Sequence, residues 1–269
     1  MSEIPPRQLI LTLFGLYARE EGNWLSVSSI VRLLGDLGVD SAGVRSSISR
    51  LKRRGVLLSS KVDGFAGYAL SGKAVEVLRE GDVRIFNRQR AVEDDGWVLV
   101  VYSIPESERD KRHQLRATLS RMGFGTAAPG VWIAPGPLHD EVASTLERLE
   151  LACYVDLFRS RYGGFGALAD KIGQWWDLTA VEAEYAEFID RYRGSRPRWK
   201  SSTEPARGAF EMYVPMLTEW RRLPYLDPGL PLALLPRSWN GGKAAELFST
   251  LDAALRAPAH QHAMSAIHQ

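Results

Sequence analysis

Twelve residues, VRSSISRLKRRG at positions 44–55, combine side chains that can bond bases with side chains that can neutralise phosphate. Arg can donate two parallel hydrogen bonds to guanine, Ser can bond a base edge or a phosphate at close range, and Lys is a phosphate cation. Five of the twelve are Lys or Arg, and none is acidic. A solvated basic helix has the same composition, so these residues alone leave both interpretations open.

A helix over this stretch would have two different faces. At about 100° per residue, Val44, Ile48 and Leu51 fall within about 60° of one another and form an apolar seam. The opposite face carries the side chains with DNA-binding chemistry. We predict base contacts from Arg45, Ser46, Ser49 and Arg50, and phosphate contacts from Lys52, Arg53 and Arg54, with Ser41 as helix cap and a further DNA contact.

Two preceding helices would position this third helix. After Pro5 and Pro6, leucines recur at helical spacing in RQLILTLFGLYARE, and a second helix is predicted from Val27 to Leu37 with Ser26 as its N-cap. The third helix is predicted to run from Ser41 to Arg53 and to end at Gly55. Three short helices at this spacing predict a helix-turn-helix.

The residues after the third helix predict a β-hairpin. GVLLSSKVDGFAGYALS contains two strand-like stretches, 56–61 and 65–70, separated by Asp63 and Gly64. A hairpin directly behind a basic helix is a wing, and it would bring Lys61 to the phosphate backbone. This context favours a winged helix-turn-helix that binds DNA over a solvated basic helix.

The remaining sequence predicts two more domains. An acidic linker (92–96) precedes the order strand, helix, strand, strand, helix, strand, which is that of a ferredoxin-like domain. Mostly helical patterns follow. The predicted fold class is therefore α+β, with a winged-helix domain (1–91), a ferredoxin-like scaffold or dimerisation domain (96–162), a mostly helical C-terminal domain (163–257) and a tail (258–269).

Composition narrows the functional classes. Residues 1–90 hold 14 Lys and Arg against 9 Asp and Glu, whereas the rest hold 20 against 23, so a polyanion contact is expected at the front of the chain. The single cysteine, Cys153, excludes an internal disulfide and a zinc cluster of several thiolates. No apolar run has the length of a membrane span and no signal core is present, so we expect a cytoplasmic protein without membrane contact.

Other candidate sites lie in the C-terminal third. Arg221, Arg222 and Trp239 could bind an anionic aromatic effector, although a place for Trp239 in the core is favoured. A cationic run (191–202) is a solvated loop or a phosphate contact. No catalytic motif occurs, so we expect no enzyme activity, no metal and no cofactor. His260, His262 and His268 have no companion acid or thiol, and they are expected in a frayed tail rather than a metal site.

Four stretches carry a resemblance to a known family. VRSSISRLKRRG, WVLVVYSIPE, GFGTAAPGVWIAP and GLPLALLPRSWNGGKAAELF occur in the order found in the PaaX-like family, repressors of phenylacetic-acid degradation operons, and the match covers roughly residues 5–255. The resemblance implies a homodimeric regulator of a double-stranded DNA operator, released by an aryl-acetyl-CoA thioester.

The middle domain of that family also resembles a small CRISPR-associated endonuclease with a ferredoxin-like fold. That nuclease has a metal-binding aspartate at the end of its first strand, where this chain has Ser103, a poor ligand for a hard cation. This departure argues against nuclease activity and favours a scaffold or dimerisation domain. A metal-dependent nuclease using Asp110 or Asp156 and a non-catalytic protein–protein adaptor are the alternative hypotheses.

Overall fold

The computed structural model describes residues 4–87, 89–194 and 203–269, which form two compact units. The first unit contains the described residues in 4–86, 187–221 and 242–269. The second contains those in 87–186 and 222–241. Among the described residues, no helix is both long and apolar enough to cross a bilayer.

The predicted winged helix-turn-helix is confirmed within the first unit. Its apolar seam is buried as predicted, with Val44 0% exposed and both Ile48 and Leu51 4% exposed. This seam packs α3 against α1 and α2, because burial of the apolar stripe is what holds a short helix in place. In chain order the elements are α1 (Pro6–Leu13), a π-helical turn (Phe14–Ala18), β1 (Trp24–Ser26), α2 (Val27–Asp36), α3 (Ser41–Arg53), β2 (Leu57–Val62), β3 (Phe65–Leu70) and α4 (Gly72–Phe86).

The wing contains one strand more than the sequence predicts. β1 pairs with β3, and the sheet order is β1-β3-β2 with all pairs antiparallel. Gly67 allows this pairing, because a Cβ there would lie 2.3 Å from the Trp24 ring and 2.4 Å from the Leu25 carbonyl oxygen. Ser26 caps α2 as predicted, since its hydroxyl accepts a hydrogen bond from the Ser29 N–H at 3.0 Å.

The second unit contains the ferredoxin-like domain, and its fold prediction is confirmed. Its sheet has the order β5-β6-β4-β7 with every pair antiparallel. Val98, Val100 and Trp132 on the sheet form one core with Leu115 and Leu146 on the two helices. In chain order its elements are β4 (Trp97–Tyr102), α5 (Arg109–Arg121), β5 (Gly125–Ala128), β6 (Val131–Pro135), α6 (His139–Arg148) and β7 (Val155–Ser160).

Helices follow the second sheet. Trp176, at the end of the first of them, is buried and donates from Nε1 to the Gly123 carbonyl oxygen at 2.8 Å. Trp175 meets the Trp97 ring edge-on, with the ring centroids 6.1 Å apart. The two tryptophans thus pack on the ferredoxin-like sheet. The helices are α7 (Leu168–Trp175), α8 (Leu178–Tyr192), α9 (Pro205–Trp220), α10 (Leu223–Leu226) and α11 (Gly241–Ile267).

The prediction of a frayed tail after residue 257 is wrong. α11 continues through Pro258 to Ile267 and belongs to the same unit as the winged helix. Ala259, Ala263 and Ala266 are buried along this segment, and their burial favours the helix against the hydrogen bond that a proline removes from a helix interior. The tail histidines also have acidic partners that are distant in sequence: His260 with Glu20, His262 with Asp36 and His268 with Glu21.

Candidate nucleic-acid interface

The start of α3 is fixed by an acidic cap. Asp40, rather than the predicted Ser41, is the N-cap, and its Oδ1 accepts a hydrogen bond from the Gly43 N–H at 2.6 Å. Asp40 takes this role because its backbone is extended, as a cap requires, whereas Ser41 is already helical. The cap and the buried seam together hold α3 so that its other face points to solvent.

Every side chain that we predict to contact DNA is exposed. The exposed surface of α3 therefore contains the two arginines and the serines predicted for the bases next to the cations predicted for phosphate. We call these nine residues the basic face: Ser41, Arg45, Ser46, Ser49, Arg50, Lys52, Arg53, Arg54 and Lys61.

Two arginines of the basic face are oriented by serines one turn earlier. Arg45 donates from Nη2 to the Ser41 hydroxyl at 3.2 Å, and Arg50 donates from Nη2 to the Ser46 hydroxyl at 2.9 Å. Each pair is separated by four residues, which places the two side chains on one helical face. Because each bond uses only one of the five guanidinium N–H groups, donors remain for a base or a phosphate.

The basic face carries cations without acidic partners. In the described part of the chain, none of its six Lys and Arg side chains lies within ion-pair distance of a carboxylate. Arginines elsewhere do, as in Arg19 with Asp82, Arg90 with Asp227 and Arg256 with Asp252. Uncompensated positive charge gathered on one surface is the electrostatic pattern of a polyanion-binding site.

The wing extends this surface. Its turn consists of Asp63 and Gly64 with φ of 49° and 82°, the left-handed backbone of a two-residue hairpin turn. The Lys52 ammonium lies 5.7 Å from the centre of the Tyr68 ring on β3, which connects the end of α3 to the wing by a cation–π contact. Sequence reasoning missed Tyr68, although an aromatic residue in a strand behind a basic helix is a usable signal.

The three effector candidates have different surroundings. Arg221 belongs to the first unit, where it donates from Nη2 to the Gln8 carbonyl oxygen at 3.2 Å. Arg222 is exposed in the second unit. Trp239 is 9% exposed and packs edge-on against Tyr185 with ring centroids 5.7 Å apart, as expected of a core residue. Of the cationic run at 191–202, residues 195–202 lie outside the described residues, and Arg191 pairs with Glu187.

A different feature of the second unit has the size of a ligand site. A cleft of about 590 Å³ lies between α7, the start of α8 and residues 233–236, within the usual range for small-molecule sites. Trp175, Trp176 and Leu235 supply apolar walls, and Gln174 and Asp177 supply polar atoms. Sequence reasoning did not find this cleft, because its two walls are about 60 residues apart in the chain.

The residues of the nuclease hypothesis do not form a metal site. In the ranges that the structure describes, no three His, Cys, Asp or Glu side chains are grouped to hold a metal ion. Ser103 follows β4 and is exposed, Asp110 lies in the first turn of α5, and Asp156 lies on β7 opposite Val101.

Comparisons with known proteins agree in all three parts of the chain. Residues 5–74 match the family model described as PaaX-like protein, residues 90–172 the PaaX protein central Cas2-like domain, and residues 176–265 the PaaX-like protein C-terminal domain. The transcriptional repressor PaaX of Escherichia coli strain K12 is 27% identical over 245 residues, covering 89% of this chain and 77% of the relative.

A solved structure has the same fold. The uncharacterized protein Rv0674 from Mycobacterium tuberculosis superposes with a TM-score of 0.60 over 95% of this chain and 97% of its own, at 24% identity. Since the three family models follow one another along the chain in the order of the N-terminal, central and C-terminal parts, the protein belongs to the PaaX-like family.

Proposed function

We propose that the protein is a sequence-specific transcriptional repressor that binds double-stranded DNA through α3 and the wing. The observation that carries this proposal is the basic face, whose six cations have no acidic partner among the described residues. The name of the related repressor from Escherichia coli supports the same assignment. The proposed role is binding, without catalysis.

We assign base contacts and phosphate contacts to different residues of the basic face. Arg45, Ser46, Ser49 and Arg50 would face the base edges of the major groove, where guanine offers two acceptors to an arginine fork. The phosphate contacts would come from the end of α3 and from the wing, through Lys52, Arg53, Arg54 and Lys61, and they fix register without reading sequence.

We further propose that the repressor acts as a homodimer. Two copies of α3 would enter successive major grooves about 34–36 Å apart, which requires a pseudo-palindromic operator. The ferredoxin-like domain is the proposed dimerisation element, and the domain division proposed from the sequence (1–91, 96–162 and 163–257) assigns it that separate role.

An aryl-acetyl-CoA thioester is the proposed effector. The cleft beside Trp175 and Trp176 has the volume for an aryl group and offers aromatic surface to it. An effector that binds more tightly to the DNA-free state would lower the population of the operator-bound state by that difference in affinity. Arg221, Arg222 and Trp239 remain the alternative proposal for this site.

The test is a mobility-shift assay with the full chain on the DNA upstream of its own operon. We expect a discrete protein–DNA complex that persists in excess nonspecific DNA, and we expect one member of a panel of acyl-CoA thioesters to dissociate this complex. Trp175→Phe should weaken that thioester's effect without changing DNA affinity, and Tyr162→Phe, outside the cleft lining, is the matched control. If the protein instead forms no complex with DNA but binds a protein partner with an affinity that salt does not change, the hypothesis of a protein–protein adaptor is supported.

A further inference from the structure

The tip of the wing exposes two large apolar side chains. Val62 and Phe65 flank the Asp63-Gly64 turn and are cross-strand partners, so they lie side by side. Phe65 is 67% exposed and Val62 is 42% exposed. Contiguous exposed apolar side chains usually mark a surface that contacts another molecule.

The two faces of the wing tip differ in chemistry. Because side chains alternate along a strand, Val62 and Phe65 project from one face, whereas Lys61 and its partner Ala66 project from the other. Lys61 is exposed. The tip therefore presents a cation on one side and an apolar pair on the other, within two residues of the turn.

We propose that Phe65, supported by Val62, inserts as an apolar wedge into the minor groove beside the major groove that α3 occupies. This inference rests on the proposed DNA-binding function and deepens it, because it assigns a DNA contact to residues that carry no charge.

Charge complementarity favours DNA as the occupant of this tip over a protein surface. The wing continues the basic face, to which Lys52 and Tyr68 connect it. A groove is bordered by phosphates on both sides, and Lys61 is placed to meet one of them. Asp63, exposed on the turn, is repelled by phosphate and opposes this contact, whereas Lys61 and the cations of the basic face favour it.

A wedge of this kind has physical consequences for the DNA. An apolar side chain between two base pairs partly unstacks them and kinks the duplex by about 20–90° toward the major groove. Pyrimidine–purine steps deform most easily, so the wedge would favour such a step at a position that α3 does not touch. The protein would thus read DNA deformability at the wing as well as base edges at α3.

The experiment uses the full chain and the shortest upstream fragment that it retards. 2-Aminopurine is placed at successive positions of this fragment, and bending is measured by circular permutation. For the wild type we expect a fluorescence rise at one flanking step and a bend centred on that step. Phe65→Ala should abolish the rise, reduce the bend and weaken binding about tenfold, which is the usual scale for loss of one base–aromatic contact.

Two further variants complete the design. Phe65→Trp should retain the fluorescence rise and the bend, because it keeps a large apolar wedge. Phe165→Ala should behave as wild type, since Phe165 is 100% exposed but lies in the second unit.

Three results would overturn the wedge. If Phe65→Ala binds and bends the fragment as the wild type does, the wedge is rejected while the proposed DNA binding stands. If Phe65→Ala changes the oligomeric mass of the DNA-free protein in sedimentation and leaves the DNA bend unchanged, the wing tip contacts another protein chain instead of DNA. If the wild type retards no DNA, the wedge and the proposed function fail together.

Discussion

Removal of a single wing cation should change the salt dependence of DNA binding by a calculable amount. Lys61→Ala is the most informative change, because Lys61 is exposed on β2 opposite Ala66, so its removal leaves no buried cavity. Four phosphate-directed cations per protomer (Lys52, Arg53, Arg54 and Lys61) imply a slope of log K against log salt of about −3.6, or about −7 for a dimer. The affinity of the dimer should then fall about 10⁴-fold between about 50 and about 200 mM salt.

In Lys61→Ala the slope should become shallower by about 0.9 per protomer, hence about 1.8 per dimer. The assay is a fluorescence-anisotropy titration of labelled operator at four or more KCl concentrations. Arg116→Ala, which removes an exposed cation from α5 in the second unit, is the matched control and should leave the slope unchanged. An unchanged slope in Lys61→Ala, or an equal change in both variants, would refute the assignment of the wing to the phosphate backbone.

Three other substitutions test the fold and the interface. Arg50→Ala should cost about 1–3 kcal/mol of operator-binding free energy and relax the sequence preference at one base pair in a binding-site selection. An unchanged sequence preference would contradict the assignment of Arg50 to the major groove. Gly67→Ala should destabilise the wing by about 1–3 kcal/mol in urea unfolding, because the added Cβ would clash with the Trp24 ring and the Leu25 carbonyl oxygen. Gly35→Ala is the control, since a Cβ at this position in α2 meets open space, and it should be neutral or stabilising. Asp227→Asn should cost about 3–5 kcal/mol of unfolding free energy, because the carboxylate is 1% exposed and bonds Arg90 at 2.5 Å and the Tyr185 hydroxyl at 2.9 Å. Asp94→Asn, at an exposed position, is the control and should change the unfolding free energy little. An equal loss of unfolding free energy in Asp227→Asn and Asp94→Asn would contradict the importance of the Arg90, Asp227 and Tyr185 contacts.

Local patterns were sufficient to predict α3 and the wing. The seam of Val44, Ile48 and Leu51 has helical spacing, and the Asp63-Gly64 pair has the backbone preference of a two-residue turn. Both signals lie within a few residues of the element that they specify. The succession of strands and helices along the ferredoxin-like domain was predictable for the same reason, since each element has its own periodicity.

Features that depend on distant residues were not predictable. β1 has only three residues and exists because Gly67 leaves room for Trp24. The end of α11 was predicted as a tail because its histidines have no acidic companion nearby in the sequence, whereas His260 and His262 pair with Glu20 and Asp36 in the winged helix. Similarly, the Thr12 and Thr218 hydroxyls bond at 2.7 Å across 206 residues, a contact that no local pattern indicates.

The exposure of the basic face was predictable, but its lack of acidic partners was not. Helical spacing placed Arg45 and Arg50 on the side opposite the seam. Whether an acidic side chain from another segment would neutralise them depended on the tertiary structure. The serine contacts of these two arginines follow from four-residue spacing, and they could have been read from the sequence.

The central claim is that α3 reads bases in the major groove, and methylation interference on the upstream fragment tests it most directly. Methylation of guanine N7 places a methyl group where an arginine fork would bind. We predict that methylation at a few guanines in each of two clusters, about one helical turn apart, prevents binding, and that Arg50→Ala removes the effect at one guanine of each cluster. Binding that is insensitive to N7 methylation throughout the fragment would contradict the account.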